Sequence, residues 1–221
     1  MGIETGTVKF LKDLDKNNNR EWFLAHKAEY ESALQNVNAF KDEIVRGLSK
    51  KDVIEDGKVF RIYRDVRFSK DKSPYKNNLG IHFTRATKAK RGGYYLHIQP
   101  GESFVGGGFW APEPADLKRI RDEFAHDPKT IRKIISQKKF VAYFGTLSGD
   151  ELKTAPSGYD KDDPAIDLIR KKQFTISRKF TDKDLTSPGF AKEVLLTYEA
   201  MRPFFDYMSE VLSTDSNGQR I

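Results

Sequence analysis

The chain has 221 residues, 38% of them hydrophobic, no cysteine, and a net charge of +7 from 39 basic and 32 acidic side chains. That length suits one globular domain that buries well over half of its surface, and the hydrophobic content is far from the signature of disorder. Without cysteine there are no disulfides and no thiolate metal sites. No stretch reaches the roughly 18 apolar residues of a membrane span. The opening Met1-Gly2-Ile3-Glu4 has no secretory pattern, and Gly6 stands where a myristoylation signal needs Ser or Thr. The expectation is a soluble, cytoplasmic protein.

In chain order, Thr7 is placed to cap a short helix presenting Phe10, Leu11 and Leu14, ended by the polar run from Asp15 to Asn19. Asn18 with Glu21 makes a capping-box-like start for a long helix to about Lys51, its apolar face carrying Phe23, Tyr30, Leu34, Val37, Ile44 and Leu48. Residues 60–69 alternate like a strand, and 80–84, 94–99 and 103–110 are further strand candidates separated by short turns. Helical periodicity returns after Pro112 and Pro114, first at Leu117, Ile120 and Phe124 and then at Ile131, Ile134 and Ile135. A loop-rich stretch at 145–163 precedes a short helix at 165–172 and a strand at 174–180. Ser187-Pro188 opens a last helix, which Pro203 is expected to kink or restart. The expected fold is α+β, a single domain over residues 1–212 with a flexible tail at 213–221. A central, mostly antiparallel sheet carries helices from both chain ends on one face and leaves the other open.

Charge is unevenly placed. Between Arg61 and Gly92 ten basic residues, Lys88 among them, face only Asp65 and Asp71. That excess of eight exceeds the net charge of the whole chain, and local asymmetry of this kind points to an anionic partner. In a strand over 60–69, parity puts Phe60, Ile62, Val66 and Phe68 on one face with Arg64, and Arg61, Tyr63, Asp65 and Arg67 on the other. Arg64 then needs a carboxylate or carbonyl partner, because an unpaired buried guanidinium is very costly. The same split repeats at Tyr94, Leu96 and Ile98 against Tyr95, His97 and Gln99, with His82 on the polar side of its own strand. Stacking the polar faces gathers Arg61, Asp65, Arg67, His82, Tyr95, His97 and Gln99 on one sheet surface. The turn after residue 69 adds Lys72, Tyr75 and Lys76 at its rim. Gly106, Gly107 and Gly108 allow close approach of a ligand or of another backbone.

The stretch Arg61-Ile62-Tyr63-Arg64-Asp65-Val66-Arg67-Phe68, followed by Asp71-Lys72 and Tyr75, resembles the signature of the bacterial domain-of-unknown-function 2461 family. Asn17-Asn18 with Trp22-Phe23, Gly107-Gly108-Phe109, and Pro156-Ser157-Gly158-Tyr159 with Asp163-Pro164 are also similar to that family. The resemblance covers nearly the whole chain. It implies a small bacterial protein without an assigned activity, so it supports the location of a site and adds no chemistry.

Other motifs carry less. Glu151-x-Lys153 has a spacing found in metal-dependent nucleases but reads as a solvated turn, and Gly101 to Gly108 lacks the Lys-Ser/Thr of a phosphate-binding loop. His82, His97 and Asp65 do not make an evident three-ligand zinc site, so no metal and no cofactor is expected. The candidate ligand-binding residues are Arg61, Arg64, Arg67, Lys72, Tyr75, Lys76, His82, Tyr95 and His97. Guanidinium forks match phosphate and carboxylate, and imidazole moves protons near neutral pH. If a reaction occurs, His97 or Asp65 is the candidate general base and Arg61 or Arg67 the charge stabiliser. Three readings stand: a small anionic ligand on the polar sheet face, a nucleic-acid-binding module using the basic segment, and a non-enzymatic interaction protein. The sequence assigns neither a reaction nor an oligomeric state.

Overall fold

The computed structural model describes residues 1–86, 89–214 and 219; Lys88 and most of the tail (215–218, 220 and 221) lie outside the described residues. The architecture is α+β. Its strands are β1 (Ile54–Val59), β2 (Leu79–Arg85), β3 (Gly93–Ile98), β4 (Phe104–Phe109) and β5 (Phe174–Lys179). They form one antiparallel sheet in sequence order. Helices α1 (Thr5–Lys16), α2 (Arg20–Ala25) and α3 (Lys27–Leu48) precede the sheet. Between β4 and β5 come α4 (Pro114–His126), α5 (Lys129–Ile135), α6 (Lys138–Phe144) and α7 (Ile166–Ile169). The chain ends on α8 (Asp182–Thr186) and α9 (Phe190–Ser213). Among the described residues no helix is long and apolar enough to cross a membrane.

The chain divides into two compact units, and the division falls within β2, β3, β4, β5 and α9. The first comprises Met1–Phe83, Tyr95–Val105 and Lys179–Leu196, and the second Thr84–Tyr94, Gly106–Arg178 and Thr197–Ile221. In the first unit α3 buries Ala33, Val37, Phe40, Ile44 and Leu48, a helical stripe. Phe40 stacks on Phe190 at 5.3 Å, and Gly47 leaves room for Leu195, so helices from both chain ends share this core. Gly57 of β1 lies against Val45 and Lys41 of α3 and against Phe83 of β2. On β2 the odd-numbered Leu79, Ile81 and Phe83 are buried while His82 is half-buried, the period-2 split expected of a sheet with one covered face.

In the second unit Tyr94 packs on Tyr198 and Phe205 of α9 at 4.7 and 5.0 Å, and Gly107 lies against Phe205 and Met201. Helix α9 runs through Pro203 without a restart. Phe124 of α4 meets Phe174 edge-on at 5.7 Å. Among the described residues the buried arginine is Arg85, which donates to Asp206 at 2.5 Å and to the Arg91 carbonyl at 3.0 Å.

Several local expectations change. Thr7 lies inside α1, buried, and donates to Asn36 Oδ1 instead of capping. Asn19, not Asn18, caps α2 through the Trp22 N–H, and the long helix is interrupted at His26, which stacks on Trp22 at 4.0 Å. The first strand is 54–59, where Ile-Glu-Asp-Gly-Lys-Val has little apolar alternation. Residues 60–69 form no strand. Beyond the Phe60 N–H bond to Gly80 O, they make a bridge between Tyr63 and Tyr75, beside which Arg64 N–H donates to the Pro74 carbonyl and Lys76 N–H to that of Ile62. Pro74 has no N–H with which to extend the ladder.

Candidate functional site

The segment 60–78 is a folded loop in the first unit, held at both ends. At one end Phe60 N–H donates to Gly80 O at 2.8 Å. At the other, Asn18 reads the Tyr75 backbone on both sides, donating to its carbonyl (2.9 Å) and accepting from its N–H (3.1 Å). Tyr75 is buried and stacks on Phe23 at 4.0 Å. Inside the loop Arg64 pairs with Asp71, whose carboxylate also accepts from the Ser73 N–H and hydroxyl. With Arg64 as the main cause, that carboxyl is held well below the usual range. Arg67 forks onto Asp65 with contacts of 2.9 and 2.6 Å, and Lys72 Nζ donates to the Val66 carbonyl at 3.0 Å.

Parity survives here only in part. Ile62 is buried, and Arg61, Tyr63, Asp65 and Arg67 are exposed, yet Phe68 stands 96% exposed and Phe60 40%. The apolar face expected for 60–68 therefore ends at Val66. Arg64 is not a core arginine: its side chain is 27% exposed and its carboxylate partner 59%. That role falls to Arg85.

Two groups of the expected site residues form. On β3 the Tyr95 hydroxyl meets His97 Nδ1 at 3.1 Å, His97 Nε2 meets Gln99 Oε1 at 2.8 Å, and Gln99 donates on to Glu102 at 2.7 Å. Phe104 of β4 stacks on the His97 ring at 4.8 Å. A side chain at Gly80 would strike the Tyr95 hydroxyl, which places Gly80 and its alternate neighbour His82 on the same face as Tyr95 and His97. Burial holds the His82 imidazole below its ordinary value of 6.5. A pKa depressed by folding contributes stability that is present above 6.5 and lost as pH falls towards the folded value. The unfolding midpoint should therefore drop as pH falls below about 6.5, and His82→Gln should flatten that part of the profile. An unchanged slope in the variant would contradict the assignment.

The second group lines a cavity of about 320 Å³, formed by Asp15, Asn18, Arg64, Asp71, Ser73, Tyr75, Lys76, Asn77 and Asn78. Its size is at the small end of the ligand-site range of about 300–1,000 Å³. Both carboxylates are engaged: Asp15 accepts from Asn77 Nδ2 at 2.8 Å, and Asp71 is held as described. Lys76 has no ion pair among the described residues, and its ammonium lies 5.9 Å from the Phe60 ring centroid. Phe60 lies 6.2 Å from Tyr95, so Lys76 and Phe60 lead from the cavity towards the β3 group. Arg61 and Arg67 stand apart, with no hydrogen bond or ion pair to His97 among the described residues. Among the described residues no group of three or more His, Asp or Glu side chains is placed to hold a metal ion. Asn18, Asp15, Asn77 and Asn78 are additions that periodicity could not signal; Asn18 enters by reading the Tyr75 backbone and Asp15 through its bond to Asn77.

The chain matches the family described as Conserved hypothetical protein (DUF2461) over residues 6–207, and it belongs to that family. No curated protein and no solved structure matches it.

Proposed function

We propose that this DUF2461 protein binds a small phosphate- or carboxylate-bearing ligand in the cavity lined by Arg64 and Lys76. One observation carries the reading: five residues of the arginine-rich segment, Arg64, Asp71, Ser73, Tyr75 and Lys76, line one polar cavity whose acids are already bonded to protein donors while Lys76 has no ion pair among the described residues. An anion entering there meets the Lys76 ammonium, which is not paired with either of the cavity's two carboxylates, and a guanidinium oriented by Asp71, groups suited to charge-assisted hydrogen bonds. Beyond Phe60 lies Tyr95, whose hydroxyl is bonded to His97.

A second reading, nucleic-acid binding, is favoured by Phe68, whose exposed ring lies 5.9 Å from the Arg67 guanidinium. Exposed aromatics among cations suit base stacking. Thermal unfolding with pyrophosphate, sugar phosphates and dicarboxylates separates the two. A ligand at about 100 times its Kd adds about 2.7 kcal/mol, so the wild-type midpoint should rise by several degrees. Lys76→Ala should lose most of that rise. No shift in wild type with any of these anions, or an equal shift in the variant, contradicts the cavity. Affinity for an oligonucleotide that falls steeply with salt, without small-anion binding, supports the second reading instead.

A further inference from the structure

The geometry points to a nucleotide-type ligand for this site, with its phosphate at Lys76 and its base against Phe60 and Tyr95. The inference rests on the anion-binding reading and specifies its ligand class. Lys76 belongs at once to the cavity wall and to the surroundings of Phe60, 5.9 Å from the ring centroid. Phe60 is 40% exposed although its backbone is fixed to Gly80. The aromatic surface continues from it through Tyr95, at 6.2 Å and tilted by 41°, to Phe104 at 5.7 Å from Tyr95. Gly80 permits this course, because a Cβ there would sit 2.5 Å from the Tyr95 hydroxyl.

A bare phosphate or small carboxylate uses Lys76 and leaves that aromatic surface wet. A ligand with an anionic end and a flat heteroaromatic end uses both. Stacking is tolerant of base identity because every base has a π-face. The polar chain of Tyr95, His97 and Gln99 adjoins the aromatic surface, and a base edge would exchange bonds with this chain, whose members are hydrogen-bonded to one another. Selectivity between bases, if present, resides there.

The test compares, by calorimetric titration, a purine and a pyrimidine nucleoside 5′-monophosphate with ribose 5-phosphate, which lacks only the base. In wild type the nucleotide is expected to bind on the order of tenfold more tightly, the increment of one stacked base. Phe60→Ala should abolish that difference, lowering nucleotide affinity by about tenfold more than it lowers the affinity for ribose 5-phosphate. Phe60→Leu, which keeps apolar bulk but not the flat ring, should behave similarly and guards against a folding defect in the alanine variant. Equal affinities of nucleotide and ribose 5-phosphate for wild type, or a difference that persists in both variants, overturns the inference while leaving the anion site standing. Failure of every phosphate to bind wild type overturns both.

Discussion

Asp206→Ala is expected to destabilise the protein by about 3 kcal/mol, because it strips a carboxylate from a guanidinium that remains in the interior. The Arg85 side chain is 0% exposed and rests over the Phe205 ring at 5.5 Å, while Asp206 is 43% exposed. The cost falls on the arginine side of the pair. Arg91 O and Ser209 Oγ, at 3.0 and 3.3 Å, are among the contacts that remain, and neutral acceptors such as these stabilise the charge less than a carboxylate does. Arg85→Met should cost far less, since it removes the charge that needs a partner and keeps an apolar stem of similar length. Chemical denaturation of the two variants decides the matter. Equal losses would mean that packing, not charge, is what Arg85 contributes.

Gly108→Ala should cost on the order of 3 kcal/mol, from backbone strain combined with a steric collision. Gly108 has φ +132°, and a methyl group there would overlap the Phe174 carbonyl of β5. The neighbour in the way is a strand backbone, which cannot rotate aside as a flexible side chain could. Gly101 provides the contrast: its φ is +78° but nothing lies within 4 Å of a Cβ built there. Gly101→Ala should therefore show only the smaller conformational cost, about 1 kcal/mol. If the two substitutions destabilise alike in denaturant unfolding, the close approach of β4 and β5 at Gly108 is not the cause.

These two positions also show what periodicity conveys. A run of three glycines signals that something approaches closely, and the approach is by strand backbone at Gly108. Strands with one covered face, such as Leu79–Arg85 and Gly93–Ile98, are legible because alternation follows directly from burial. Strand Ile54–Val59 is not, since its glycine and charged residues break the pattern and its place depends on α3 packing over Gly57. The loop at 60–78 shows the opposite failure. Alternation is present in the residues, but Pro74 and the ion pairs Arg64–Asp71 and Arg67–Asp65 fold the chain back. Arg64 and Arg85 illustrate why charge burial resists reading from one sequence: each stands on an alternating segment, and only tertiary packing decides which is enclosed. Of the residues expected at a site, Arg64, Tyr75 and Lys76 converge on the cavity and Tyr95 joins His97, whereas Arg61 and Arg67 face outward.

Crystals grown with pyrophosphate or a nucleoside monophosphate test the central claim most directly, because density for the anion reports its position as well as its binding. The account predicts a phosphoryl oxygen within about 3 Å of Lys76 Nζ, inside the cavity bounded by Asn18, Arg64 and Tyr75. An anion held instead by Arg61 and Arg67, with the Lys76 cavity containing only solvent, would contradict it.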